Sequence, residues 1–92
     1  MGDGFYAYVA ESIEEPGYYY KGHCADLRKR LKEHNSGMTR SIKGRIPFRI
    51  VHYQAFQTLK EAIAKEKYWK TAAGRRDIKK ILSEGPVVQW IE

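Results

Sequence analysis

Two stretches with a helical pattern carry ionisable side chains within their apolar stripe. On a helical wheel that starts at Leu27, Arg30 and His34 flank or enter the stripe. On a wheel that starts at Leu59, Glu66 lies in the middle of it. A charge that faces a core is costly unless it is paired, bound to a metal or placed at a cleft. A guanidinium, an imidazole and a carboxylate together suit a site for a phosphate and a divalent metal ion.

A purely structural interpretation of the same residues is open at this stage. Lys70 follows Glu66 by about one helical turn, and the two can form an ion pair at the edge of the stripe. His34 can be a helix-end histidine with satisfied hydrogen bonds, and Arg30 can be a surface charge. This interpretation is weaker for two helices that both present ionisable groups inward.

Tyrosine is frequent, with seven in 92 residues and five between positions 6 and 20. Tyr6, Tyr8, Tyr18 and Tyr20 have even numbers, so each strand of a pair can place two of them on one face. Aromatic packing is the usual role of such residues. Their hydroxyls would add hydrogen-bonding groups to any site that shares this face.

Short strands and helices must position these side chains. Glu14 to Gly17 predicts a turn that joins two strands in a hairpin. Thr58 and Glu61 match a capping box, which opens a helix expected to end at Gly74. The order β-β-α-β-α-α predicts an α+β domain. The predicted elements are strands at 5–10, 18–22 and 48–53 and helices at 26–34, 58–73 and 75–83, with a basic loop at 38–47 and no assignment for 85–92.

The net charge of +6 is unevenly distributed. Residues 1–19 carry four acids and no base, whereas residues 20–53 carry nine bases and two acids. Residues 54–82 add eight bases and three acids. Positive charge grouped in this way indicates a surface that meets a polyanion, with nucleic acid as the first candidate.

Length and composition exclude several classes of protein. A chain of 92 residues fits a single domain. The lone Cys24 excludes an internal disulfide framework and a cysteine-based zinc site. There is no apolar run of about 18 residues for a membrane helix, and residues 1–15 lack the features of a signal peptide. We therefore expect a cytoplasmic protein with no membrane partner.

The ordered motifs resemble those of the GIY-YIG nuclease superfamily. The similarity runs through Phe5-Tyr6-Ala7-Tyr8-Val9, Tyr20-Lys21-Gly22, residues 27–37, Pro47, residues 62–67, Lys70 and Gly74-Arg75. It covers residues 5–82 and leaves 83–92 as a tail. It is greatest to the small single-domain bacterial members, which are related to the N-terminal nuclease domain found in the excision-repair endonuclease excinuclease ABC. The resemblance implies a three-stranded antiparallel sheet flanked by helices.

The resemblance also implies roles for individual residues in a metal-dependent endonuclease. The tyrosines of the two motifs fall on Tyr8 and Tyr20, the motif arginine on Arg30, the helix histidine on His34 and the metal-ligand glutamate on Glu66. One divalent cation, Mg²⁺ or Mn²⁺, would bind Glu66. Tyr20 would position or deprotonate the water, and Arg30 would clamp the phosphate. Tyr8 and His34 would complete the hydrogen-bonding shell, with His34 a candidate proton donor.

The expected partner is DNA, branched or damaged, in repair or processing. His23 stands where some members carry a basic residue that tunes the second tyrosine, and Tyr6 replaces the first motif's glycine. The residues expected to hold flanking phosphates or to bind nucleic acid are Lys21, His23, Arg40, Lys43, Arg45 and Lys70.

Two other functions stay open on the sequence alone. One is a nucleic-acid-binding module with the same fold and weak or absent catalysis. The other is a basic interaction domain that binds protein or ribosome. We expect the five catalytic candidates to converge on one accessible concavity, and a Glu66 on the opposite face from Tyr20 would argue against the enzyme.

Overall fold

The computed structural model describes residues 4–37, 44–84 and 90–91. The predicted order β-β-α-β-α-α is confirmed, and a short strand is added at the end of the chain. The elements are β1 Phe5–Ser12, β2 Tyr19–Cys24, α1 Leu27–Asn35, β3 Phe48–Phe56, α2 Leu59–Trp69, α3 Ala72–Glu84 and β4 Trp90–Ile91. None of the helices in these ranges is long and apolar enough to cross a membrane.

All strands pair antiparallel in the order β2-β1-β3-β4. The expected three-stranded sheet is thus present as β2-β1-β3. The two-residue strand β4 extends it beyond β3, where Ile91 pairs with Arg49 and Trp90 with Ile50. It comes from the tail for which the sequence pattern indicated no element, because so short a strand carries no periodicity. β2 forms the opposite edge of the sheet, which matters for the site.

Side chains alternate along β1 between two hydrophobic clusters, as the pleat of a strand requires. On one side, Tyr8 and Ala10 pack beneath α1 with Leu31. On the other, Ala7 and Val9 pack beneath α2 and α3. The even-numbered tyrosines Tyr6, Tyr8, Tyr18 and Tyr20 all belong to the first cluster, as their numbering predicted.

The boundary between the last two helices was predicted wrongly. α2 ends at Trp69, and Gly74 lies inside α3 instead of ending the preceding helix. The hydroxyl of Thr71 accepts a hydrogen bond from the backbone N–H of Gly74 at 3.0 Å, as an N-cap does. A Cβ atom on Gly74 would lie 1.9 Å from the carbonyl oxygen of Tyr68. Glycine is therefore needed for close approach of the two helices, not for termination.

Capping at the starts of the other helices follows the sequence closely. Thr58 and Glu61 form the predicted capping box at the start of α2. The side chain of Asp26 accepts a hydrogen bond from the backbone of Lys29, so Asp26 is the N-cap of α1 rather than its first helical residue.

Candidate active site

Tyr8 of β1 and His34 of α1 meet where the helix crosses the sheet. The Tyr8 hydroxyl lies 2.6 Å from His34 Nε2, and the two residues are only 0% and 1% exposed. Burial raises the pKa of Tyr8 well above its ordinary value. Burial, with the nearby positive charge of Arg30, lowers the pKa of His34 to about 4. Both side chains are therefore neutral at pH 7.

Tyr20 and Arg30 surround this buried pair. The ring of Tyr20 meets that of His34 edge-on, with centroids 4.9 Å apart, and lies 6.3 Å from that of Tyr8. The charge of Arg30 acts on both Tyr8 and His34, which places the guanidinium close to the pair. Arg30 is 40% exposed at its side chain and pairs with Glu33 at 3.2 Å. The structure thus brings four predicted residues together, with Tyr20 and Arg30 nearest the solvent.

Gly22 allows this arrangement, a role that the sequence pattern did not show. In the sheet register Gly22 lies opposite Tyr8. A Cβ atom at Gly22 would lie 2.6 Å from the Tyr8 hydroxyl oxygen and 3.1 Å from Cε1 of Tyr20. The Tyr-x-Gly spacing was the available signal: it puts a residue without a side chain two positions after Tyr20, on the same face of β2.

Glu66 of α2 holds two basic side chains. His23 Nδ1 lies 2.5 Å from one carboxylate oxygen, and the Lys70 ammonium donates to the other at 2.6 Å. The Glu66 side chain is 15% exposed. Burial acts to raise the pKa of Glu66, but the hydrogen bonds and charges of Lys70 and His23 outweigh it and lower the pKa. Glu66 is therefore an ionised carboxylate at neutral pH.

Glu66 does not join the other four residues on their side of the sheet. Tyr20 packs under α1, whereas the alternation along β2 sends His23 to the α2 side, where it meets Glu66. The expected single concavity is therefore replaced by two groups of residues on the two faces of β2. Because β2 is an edge strand, both groups border the same edge of the sheet.

The residues expected to bind nucleic acid have different surroundings. Lys21 lies on the α2 and α3 side, and burial together with the charges of Arg75 and Lys70 lowers its pKa. Arg45 instead pairs with Glu15 at 3.0 Å. Its guanidinium also lies over a tyrosine ring, Tyr18. Arg40 and Lys43 lie outside the described residues.

Arg75 is a further cation near Glu66 that the sequence analysis quoted without a role. Its Nη1 donates to the backbone carbonyl of Lys70 at 2.9 Å. The contact places Arg75 beside the Glu66–Lys70 pair. Within the part of the chain that the structure describes, no group of three or more His, Cys, Asp or Glu side chains could hold a metal ion. Any protein ligand supplied to a cation here is thus Glu66 with few others.

Comparison with known proteins identifies the family. The family model described as the GIY-YIG catalytic domain matches residues 4–80. The chain belongs to the GIY-YIG family. GIY-YIG is a nuclease fold, and its nucleases generally use a divalent metal ion.

Relatives with the name UPF0213 protein place the chain in a small branch of the GIY-YIG family. One from Haloquadratum walsbyi is 34% identical over 67 residues, which cover 72% of this chain and 73% of the relative. One from Staphylococcus saprophyticus is 32% identical over 84 residues, covering 90% and 99%. The solution NMR structure of a UPF0213 protein from Bacillus halodurans is 31% identical, covers 89% of this chain and 86% of that one, and has a TM-score of 0.51. The resemblance seen in the sequence is confirmed.

Proposed function

We propose that this GIY-YIG protein is a metal-dependent endonuclease that hydrolyses DNA phosphodiester bonds in DNA repair or processing. The observation that carries the proposal is the position of Tyr20 and Arg30 over the buried Tyr8–His34 pair, at the same sheet edge as the ionised Glu66. Phosphodiester hydrolysis needs an oriented water, charge stabilisation on the phosphate and help for the leaving oxygen. The chain has a candidate group for each.

Arg30 binds the scissile phosphate in this proposal. Its guanidinium is partly exposed, and its present partner Glu33 is one helical turn away on a half-exposed surface. Such a pair contributes little to stability, so a phosphate can replace the carboxylate at small cost. The planar fork of an arginine matches two phosphate oxygens, which fixes the orientation of the backbone.

Tyr20 orients the attacking water and accepts its proton or passes it on. Its ring is held between Tyr8 and His34, so the hydroxyl has a defined direction at the rim of the site. The sequence analysis made His34 a candidate proton donor. A pKa of about 4 and an exposure of 1% instead favour a positioning role, in which the neutral Tyr8–His34 pair supports Tyr20 from behind.

Glu66 is the residue that would hold Mg²⁺ or Mn²⁺. The chemistry of the donor fits: an ionised carboxylate suits a hard cation, and Mg²⁺ commonly keeps several waters and takes only one or two protein carboxylates. When bound, the ion would neutralise charge on the phosphate and the leaving oxygen. Both carboxylate oxygens now accept hydrogen bonds from His23 and Lys70, so coordination requires at least one of them to move.

A second candidate function is a nucleic-acid-binding module of the same fold with weak or absent catalysis. The specific observation in its favour is the placement of Glu66 on the far face of β2 from Tyr20, with both of its oxygens engaged. This arrangement is also what a structural ion pair would give. Lys70 was expected either to hold phosphate or to pair with Glu66, and the second contact is present.

A metal-dependent nicking assay separates the two functions. Branched, flapped and plain duplex DNA would be incubated with Mg²⁺ or Mn²⁺ and wild type, Tyr20→Phe, Arg30→Ala or Glu66→Ala. Each variant is expected to lose activity by about 100-fold or more. Asp77→Asn, an exposed carboxylate that bonds Tyr68 on the α2–α3 side, is the matched control. Unaltered activity of Glu66→Ala would refute the metal assignment, and DNA binding by a wild type that never cleaves would favour the module.

A further inference from the structure

A groove of about 510 Å³ lies between the edge strand β2 and the outer face of α3. Its size is within the range of about 300–1,000 Å³ that small-molecule sites occupy. Tyr19 of β2 forms one wall. The residues that line it include Tyr19, Lys21, Arg75, Ile78, Lys79 and Leu82. None of them has a role in the catalytic arrangement proposed above, except for the expectation that Lys21 meets a phosphate.

The groove has an apolar floor and a cationic rim. Ile78 is 3% exposed and packs in the cluster beneath α2 and α3, with Leu82 and Tyr19 partly buried against that cluster. Lys21, Arg75 and Lys79 supply the positive charge. A ligand that satisfies both features must carry a flat or apolar group and more than one negative charge.

The cations of the rim lack acidic partners. No Asp or Glu lines the groove, and in the described ranges neither Lys21, Arg75 nor Lys79 forms an ion pair with a carboxylate. Other cations of the chain, such as Arg45 and Arg49, are paired. The lowered pKa of Lys21 records its burial and its proximity to Arg75 and Lys70. Like charges gathered without a carboxylate favour binding of an anion.

The groove continues directly from the candidate active site. Lys21 and His23 lie on the same face of β2, and residues two apart in a strand are separated by about 6.6 Å. His23 contacts Glu66, and Glu66 contacts Lys70, whose carbonyl accepts from Arg75. A DNA strand that passes Glu66 along β2 would therefore reach the groove with its next nucleotides.

We propose that this groove binds an unpaired nucleotide of a DNA single strand, with its base on Tyr19 and the apolar floor and its phosphates on Lys21, Arg75 and Lys79. In a duplex the bases are stacked inside the helix, so only an unpaired base reaches the floor. Stacking on an aromatic side chain is the common way in which single strands are held. The inference rests on the proposed function and gives its substrate class: DNA with a flap or single-stranded overhang.

Binding measured in EDTA tests this inference without catalysis. Fluorescence anisotropy would compare a blunt duplex, the same duplex with a thymidine overhang, and one with an overhang of abasic sites. Wild type is expected to bind the thymidine overhang more tightly than either other probe, with loss of the bases costing about 5- to 150-fold. Tyr19→Leu should remove the difference between thymidine and abasic overhangs, whereas Tyr19→Phe keeps the ring and should preserve it.

A pair of lysines on α3 supplies the matched control for charge. Lys79 lines the groove, whereas its neighbour Lys80 does not, and both are exposed. Lys79→Gln should weaken binding to the overhang and lower the salt slope of log K by about 0.7, as expected for one lost phosphate contact on a single strand. Lys80→Gln should leave affinity for the overhang unchanged.

The outcomes distinguish this inference from the proposed function. Equal affinity for the blunt and thymidine-overhang probes, or equal effects of Lys79→Gln and Lys80→Gln, would overturn the groove even if wild type cleaves DNA with Mg²⁺. Equal affinity for thymidine and abasic overhangs would overturn the base site. Preferential overhang binding that depends on Lys79 and Tyr19, in a protein that never cleaves, would support the groove and refute the endonuclease.

Discussion

Substituting alanine for Gly22 should test how tightly the two motif tyrosines are packed. The new Cβ would lie 2.8 Å from Cζ of Tyr8, about 0.7 Å inside the ~3.5 Å at which carbon atoms make favourable contact. It would also lie 2.6 Å from the Tyr8 hydroxyl oxygen. Tyr8 has no room to retreat, because it is fully buried and its hydroxyl contacts His34. The strain must therefore displace the Tyr8 ring or the backbone of β2.

Overpacking of this kind costs about 1–3 kcal/mol. For a domain of this size each kcal/mol lowers Tm by about 4–8 °C, so Gly22→Ala should lower Tm by about 5–20 °C. Differential scanning calorimetry measures this directly. Nuclease activity should fall further than stability explains, because Tyr20 lies 3.1 Å from the same Cβ position and would be pushed from its place.

Gly44→Ala is the control for the general cost of replacing glycine. A Cβ at Gly44 would meet no atom within 4 Å, and the residue is exposed. Its Tm should stay the same or rise slightly, since alanine reduces the entropy of the unfolded chain. If Gly22→Ala melts at the wild-type temperature and keeps full activity, the packing argument for Gly22 is wrong.

Three further predictions concern protonation, helix packing and DNA contacts. His34 has a folded pKa of about 4 against an ordinary 6.5, so the unfolded chain binds more protons between these values. Stability should be full above about pH 6.5 and fall by roughly 3 kcal/mol as the pH drops towards 4, and urea titrations of wild type and His34→Gln should differ in this slope. Gly74→Ala should destabilise by more than Gly22→Ala in calorimetry, because its Cβ would meet the backbone carbonyl of Tyr68 at 1.9 Å. Arg45→Gln should weaken DNA binding less than Lys21→Gln in anisotropy titrations, because Arg45 pairs with Glu15.

Each of these has a clear contrary result. A His34→Gln variant with the same pH slope as wild type would show that another group controls acid stability. A Gly74→Ala protein that melts as wild type does would mean that α2 and α3 approach less closely than described. An equal or larger loss of affinity in Arg45→Gln would place the DNA on the Arg45 side of the sheet rather than along Lys21.

Much of the fold could be predicted from the sequence because its signals are local. The capping box at Thr58 and Glu61 lies within one turn of a helix, and it is present. The even numbers of Tyr8 and Tyr20 place them on one face of a strand pair whatever the rest of the chain does. The stripe of α1 placed His34 at the core, and it is buried there.

The start of α3 and the role of Gly74 could not be predicted in this way. Residues 58–73 have continuous helical character, and the break at Lys70 and Thr71 comes from a side-chain cap and from the close contact of two helices. β4 was missed because a two-residue strand exists only through its pairing with β3.

The sequence by itself determined which side chains carry chemistry and which face of its own element each occupies, because both follow from residue type and local periodicity. Only the tertiary structure decided which of those faces meet. Strand order puts β2 at the edge, and α1 and α2 pack on opposite faces of the sheet, so Tyr20 and Glu66 lie on different sides of one strand. The contact of α3 with β2 likewise brings Lys79 and Tyr19, 60 positions apart in the sequence, to one groove. Such contacts join distant parts of the chain, and no short pattern encodes them.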